Sequence, residues 1–209
     1  MPTNEVFPAP PEALRRLRSL HATAVAELAA TFEDLQTVLR CCERLVTELA
    51  AGSTPTGGPD DVVVEAVWTT ALLSYARCFR AVEGGAALTT QDLTAVISSG
   101  DVTDWHAVLL QLRGHYADPL ANPRERFSVG VARSSTGGAG GIAITSARQP
   151  LVDELTVRQT GAIAFTLSSH VNERITALQE QILVELTGAA KVDLDQLDVL
   201  EVAPPEADE

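Results

Sequence analysis

Apolar residues recur at intervals of mostly three and four from Leu14 to Leu49, through Leu17, Val25, Leu28, Phe32, Leu35, Leu39, Cys42 and Val46. That spacing predicts one amphipathic helix over about 11–51, opened by Pro11 and Glu12 and stopped by Gly52 and Pro55. At about 1.5 Å per residue it would run roughly 60 Å, longer than a compact domain of this size needs. Part of it is therefore expected to protrude, to bend, or to pack on a second copy.

The rest of the chain continues the helical theme with one interruption. VVVEAVWTTALLSYARCFRAV is apolar nearly all round, which marks the most buried helix of a bundle, with Asp60 or Asp61 as its N-cap. Thr89 and Asp92 form a capping pair ahead of a short helix that carries Leu93, Val96 and Ile97. Trp105–Asn122 reads as a further helix, set inside the bundle, with Val108, Leu109 and Leu112 on its apolar side. It ends near Asp118, because Pro119 disfavours helical geometry there. FSVGVA (127–132) and GIAITSA (141–147) then alternate with period two around a glycine-rich tip, the pattern of a β-hairpin. Helical spacing resumes over about 153–187, with Gly188 as the stop.

The prediction is a mainly α-helical protein, an up-and-down bundle of four to five helices with one inserted β-hairpin. Its divisions are a loose N-terminus (1–10), a bundle domain (11–190) with the hairpin at about 127–147, and an acidic tail (191–209). From Val192 onward the tail has seven acids and no base. Alternating acidic and apolar residues in VDLDQLDVLEV suit a short docking segment or an added strand; the other reading is a solvated end.

With 45% hydrophobic residues in 209, the chain has material for a core without disulfides or metal, and 4% aromatics leave that core to Leu, Val, Ile and Ala. A formal charge of −13 argues against non-specific binding to DNA or anionic lipid. Three cysteines cannot all pair internally and lack metal-ligand spacing, so reduced thiols in a cytoplasmic protein are expected. No apolar run approaches the roughly 20 residues that span a bilayer, and no apolar signal core opens the chain.

Chemical motifs are few. ARSSTGGAGG has no Lys-Ser/Thr ending and no helix directly behind it, so it is not a phosphate-binding loop. Asp193, Asp195 and Asp198 lack the glycine and closing glutamate of a calcium loop. No metal or cofactor is implied. The chemistry-bearing stretch is LRGHYADPLANP, with Arg113, His115 and Asp118, preceded on its helix by His106. His106, Leu110 and Arg113 share one helical face, whereas Arg113 and His115 lie about 200° apart unless the helix unwinds at Gly114. Tyr75 and Arg77 could meet Arg113 from the second helix, and the three together would make an anion site for phosphate or RNA.

The order of elements, with an Arg/His cluster at the end of a core helix, resembles the HEPN superfamily of helical bundles. Its members often act as dimeric, metal-independent ribonucleases in defence and toxin–antitoxin systems, and their signature is an arginine, four to six residues and then a histidine. The resemblance places Arg113 on the phosphate-facing arginine and His115 on a histidine outside that signature. Asp118 stands where the general-base histidine would. It implies a homodimeric, non-catalytic or degenerate module that binds a partner protein or RNA. Two alternatives stay open: an endoribonuclease in which Arg113 stabilises phosphate charge and His115 or His106 moves the proton, and a structural self-assembly protein.

Overall fold

The computed structural model describes residues 14–51, 60–80, 85–97, 100–120, 122–188 and 194–200. The expected loose segment 1–10, the linker over 52–59 and the tail beyond Leu200 lie outside them. Among the described residues nine elements follow in chain order: β1 (Leu14–Arg15), α1 (Leu20–Ala51), α2 (Asp61–Cys78), α3 (Thr90–Val96), α4 (Val102–Ala117), β2 (Glu125–Arg133), β3 (Ala139–Arg148), α5 (Glu154–Thr187) and β4 (Val199–Leu200). The mainly α-helical fold with one inserted hairpin is as the sequence predicts.

The spine is an antiparallel pair. Residues Leu28, Thr31, Leu35, Val38, Cys42 and Leu45 of α1 are buried, a stripe of alternating threes and fours. On α5 the matching stripe is Val157, Thr160, Ile163, Ala164, Leu167, Ser168 and Val171. Contacts run in opposite senses: Cys42 lies against Gly161, Gln36 reaches Ser168 at 3.5 Å, and His21 meets Glu185 at 3.0 Å. A Cβ at Gly161 would stand 3.4 Å from that of Cys42, so glycine lets the two helices close up here. Beyond Val171 no residue of α5 is fully buried, and the end of α5 continues beside the start of α1 as a two-helix arm.

The start of the arm corrects one expectation. The first helix begins at Leu20, not near residue 11, and Leu14–Arg15 instead pairs antiparallel with Val199–Leu200. Arg18 reaches Asp198 at 2.6 Å, and the Arg15 guanidinium donates to the Leu197 carbonyl at 2.8 Å. This part of the acidic tail is thus a strand added to the chain's own N-terminal segment. Pairing two short stretches so far apart in sequence leaves no local periodicity to read.

α2 lies between α1 and α4. Asp60 caps it, accepting from the backbone N–H groups of Val62 and Val63, and its buried face carries Val64, Trp68, Ala71, Leu72, Tyr75 and Cys78. Short α3 starts in a full capping box: the Thr89 hydroxyl accepts from the Asp92 N–H while the Asp92 carboxylate accepts from the Thr89 N–H. Asp92 also receives His170 and Arg174 from α5, at 3.2 and 3.4 Å, and so joins α3 to the spine. Burial opposes its charge, but the Thr89 hydroxyl and N–H, His170 and Arg174 together hold its carboxyl below the ordinary range.

α4 is a flanking helix, not the internal rod expected. Only Val102, His106 and Leu109 are buried, and Val108 is exposed. Its apolar stripe is one side chain wide, enough to lie on α2 but not to be surrounded. A groove of about 460 Å³ lies between α4 and α5, lined by Val102, Trp105, Ile163 and their neighbours.

The hairpin pairs Glu125 with Arg148, Phe127 with Ser146, Val129 with Ile144 and Val131 with Ile142. At its tip the Gly137 N–H donates to Ser134, in a backbone conformation (φ +88°) that favours glycine. A register shift follows Ala132, where a Cβ on Gly140 would come within 3.1–3.3 Å of the Ser134 and Ala132 backbone. Its base is tied to α2 by Arg124 to Glu65, at 2.6 Å, and Arg148 to Asp61. Every residue of β3, and all of β2 but Glu125, is exposed. The hairpin stands clear of the bundle on both faces.

Candidate functional site

The residues expected to carry chemistry do not gather. Tyr75 is fully buried, and its hydroxyl meets Nδ1 of His106 at 2.9 Å. His106 is itself buried, with the Phe79 ring 4.3 Å away between centroids. Burial pushes the Tyr75 phenol pKa up and pulls that of His106 below its usual value, so both groups are neutral at physiological pH. This pair belongs to the α2–α4 core. The sequence holds a sign of it, since His106 shares the spacing of Val102 and Leu109 and falls on the same helical face.

Arg77 turns the other way. Its guanidinium Nε lies 3.0 and 3.1 Å from the two carboxylate oxygens of Asp34 on α1, and a further nitrogen donates to Ser74. The hydrogen bond to Asp34 raises its pKa further. The anion site expected from Tyr75, Arg77 and Arg113 is therefore not formed: Tyr75 is spent on α4 and Arg77 on α1.

Arg113 and His115 are exposed at the end of α4. Arg113 has neither a hydrogen bond nor an ion pair among the described residues. The His115 ring stands edge-on to Tyr116, with centroids 5.9 Å apart. Asp118 accepts from the Leu120 N–H in a local turn and does not face Arg113. His106 is thus buried in the core while Arg113 and His115 are exposed, and α4 runs unbroken through Gly114 to Ala117, with no unwinding there. The thiols offer no substitute: burial first, then Cys41 and Glu43 beside Cys42 and Asp34 beside Cys78, pushes both up to about 12.

The feature that the bundle leaves unaccounted for is the hairpin. Phe127, Val129 and Val131 alternate along β2, Ile142 and Ile144 along β3, and the register sets all five on one face. Their exposure runs from 56% at Phe127 to 74% at Ile142. Their side chains come to about 600 Å² of apolar surface, the upper end of what a monomer usually shows in one patch. The other face carries Ser128, Gly130, Ala143 and Thr145, small or polar side chains suited to water. At the base, a cleft of about 440 Å³ is lined by Val62, Glu65, Tyr116, Arg124, Arg148 and Leu151 among others. Burial, and then Glu65, raises the Tyr116 phenol pKa.

The hairpin itself was legible in the sequence, but its apolar face was not recognisable as free. Period-two alternation identifies which face is apolar; it does not say whether the same chain covers it. Compared with protein-family models, with curated proteins and with solved structures, the chain matches none.

Proposed function

We propose that this chain is a non-catalytic interaction module that docks a partner protein on the apolar face of the β2–β3 hairpin. One observation carries the reading: five large apolar side chains share a sheet face that no helix among the described residues covers. A two-stranded hairpin with its apolar face uncovered is marginal in water, and further strands or a second layer packed on that face stabilise such a ribbon. The middle of the face has no charged side chain, which suits a protein surface and not the phosphates of RNA.

This keeps the expectation of a helical module that binds a partner and moves the contact from the end of α4 to the hairpin. It also carries a prediction for the alternative endoribonuclease: Arg113→Ala with His115→Ala leaves partner binding and the unfolding midpoint unchanged, because both side chains are exposed. Loss of either on this substitution would return the function to α4.

The direct test is a photoreactive residue placed at Val129, on the apolar face, or at Ala143, on the opposite one, in cells producing the protein. The expected result is a covalent adduct of defined mass from position 129 and little or none from 143. Absence of an adduct at 129, or equal yields from both positions, would contradict a face-specific dock.

A further inference from the structure

From the same hairpin we infer the identity of the occupant: a second copy of this chain, its hairpin laid face to face and antiparallel on the first. This rests on the docking reading and goes further by naming the partner and the geometry.

Area is the first argument. Full coverage of two such faces would remove about 1,200 Å² from water, the lower end of a specific, stable interface of about 1,200–2,000 Å². The product is a four-stranded sandwich with inner faces about 10 Å apart, the spacing of packed sheets. A two-fold axis through Val129 and Ile144 makes the contact isologous, so each copy uses the same patch and the assembly closes at two.

Charge then selects the direction. By strand parity Glu125, Phe127, Val129, Val131 and Arg133 share one face, with the acid at the base and the arginine at the tip, about 26 Å apart at roughly 3.3 Å per residue. Neither Glu125 nor Arg133 has an ion pair among the described residues, and Arg148, the cross-strand neighbour of Glu125, is held by Asp61. Stacked antiparallel, two hairpins place Arg133 of each copy over Glu125 of the other. Stacked parallel, each β2 would instead lie over β3 of the other copy, setting Glu125 on an Arg148 already held by Asp61 and Arg133 on Ala139, with no acid for it to meet. The hairpin brings little net charge to the contact, because Glu65 and Asp61 neutralise Arg124 and Arg148 and leave Arg126 and Arg133 against Glu125, in a chain of net charge −13. Contact here avoids the acidic surface elsewhere.

Light scattering on the purified full-length chain tests this. The expected mass is twice the 22.1 kDa of one chain, falling to a single chain in Val129→Asp with Ile144→Asp. Both residues are exposed, so helicity and unfolding midpoint should remain those of the isolated subunit. Glu125→Arg alone and Arg133→Glu alone should each weaken the dimer about tenfold or more, and the two together should restore it, as a re-formed charge pair does. A wild-type chain that stays monomeric, or a dimer indifferent to the aspartates, overturns the proposal. A double charge exchange that fails to restore association overturns the antiparallel register. If the chain is monomeric yet position 129 crosslinks to a protein of another mass, self-pairing fails and the docking reading stands; with no adduct at all, both fail.

Discussion

Trp68→Ala is expected to destabilise the protein by about 3–5 kcal/mol. Trp68 is 2% exposed and lies on α2, the helix shared by the α1 and α4 contacts. Truncation loses the transfer free energy of the ring and leaves a cavity that rigid helices collapse onto only in part. For a chain of this length, that corresponds to a fall of about 10 °C in the unfolding midpoint. A drop below about 2 °C, or a loss of less than about 1 kcal/mol in denaturant titration, would mean that α2 is not the centre of the core.

Tyr75→Phe should cost about 1–3 kcal/mol although it removes a single oxygen. Its hydroxyl is the only hydrogen-bond partner of Nδ1 of His106 among the described residues, and both groups are buried. The change therefore strands a polar atom out of reach of water. The same pair predicts a pH dependence. Because burial lowers the His106 pKa below its ordinary 6.5, the unfolded chain binds this proton more readily than the folded one. The stability held by the neutral ring is fully present above about pH 6.5 and falls as pH drops below it, levelling off once the folded-state pKa is passed. Denaturant midpoints measured across that range should decline in the wild type, and this component should vanish in His106→Gln. An identical decline in the variant would assign the effect to another group.

The helices were open to sequence reasoning because each announces itself locally. The α1 stripe from Leu28 to Leu45, the Asp60 cap and the Thr89/Asp92 box all depend on neighbours within a few positions, and all three stand in the structure. The end of α4 went otherwise. Arg113, His115 and Asp118 lie together in sequence, but whether a polar helix end faces a seam or water depends on which helices flank it. Here α4 has α2 on one side and little on the other. His106 was separable from them by its place in the Val102–Leu109 stripe, which marks it as core. The pairing of Leu14–Arg15 with Val199–Leu200 joins the two ends of the described chain and has no local signal. Alternation in β2 and β3 gave the hairpin and its apolar face, while the freedom of that face depends on what the five helices among the described residues fail to reach.

Hydrogen exchange across β2 and β3, at a dilution where the chain is monomeric, tests most directly whether the chain covers its own hairpin. An uncovered two-stranded ribbon opens easily, so amides over 127–131 and 142–145 should exchange at least about a hundredfold faster than those of buried α1 and α5 positions such as Leu35 and Leu167. Protection should rise at these amides, and not in the bundle, as concentration brings a second hairpin onto the face. Hairpin amides as slow as the helical core in the dilute monomer would contradict the account, because the apolar face would then be packed against its own bundle.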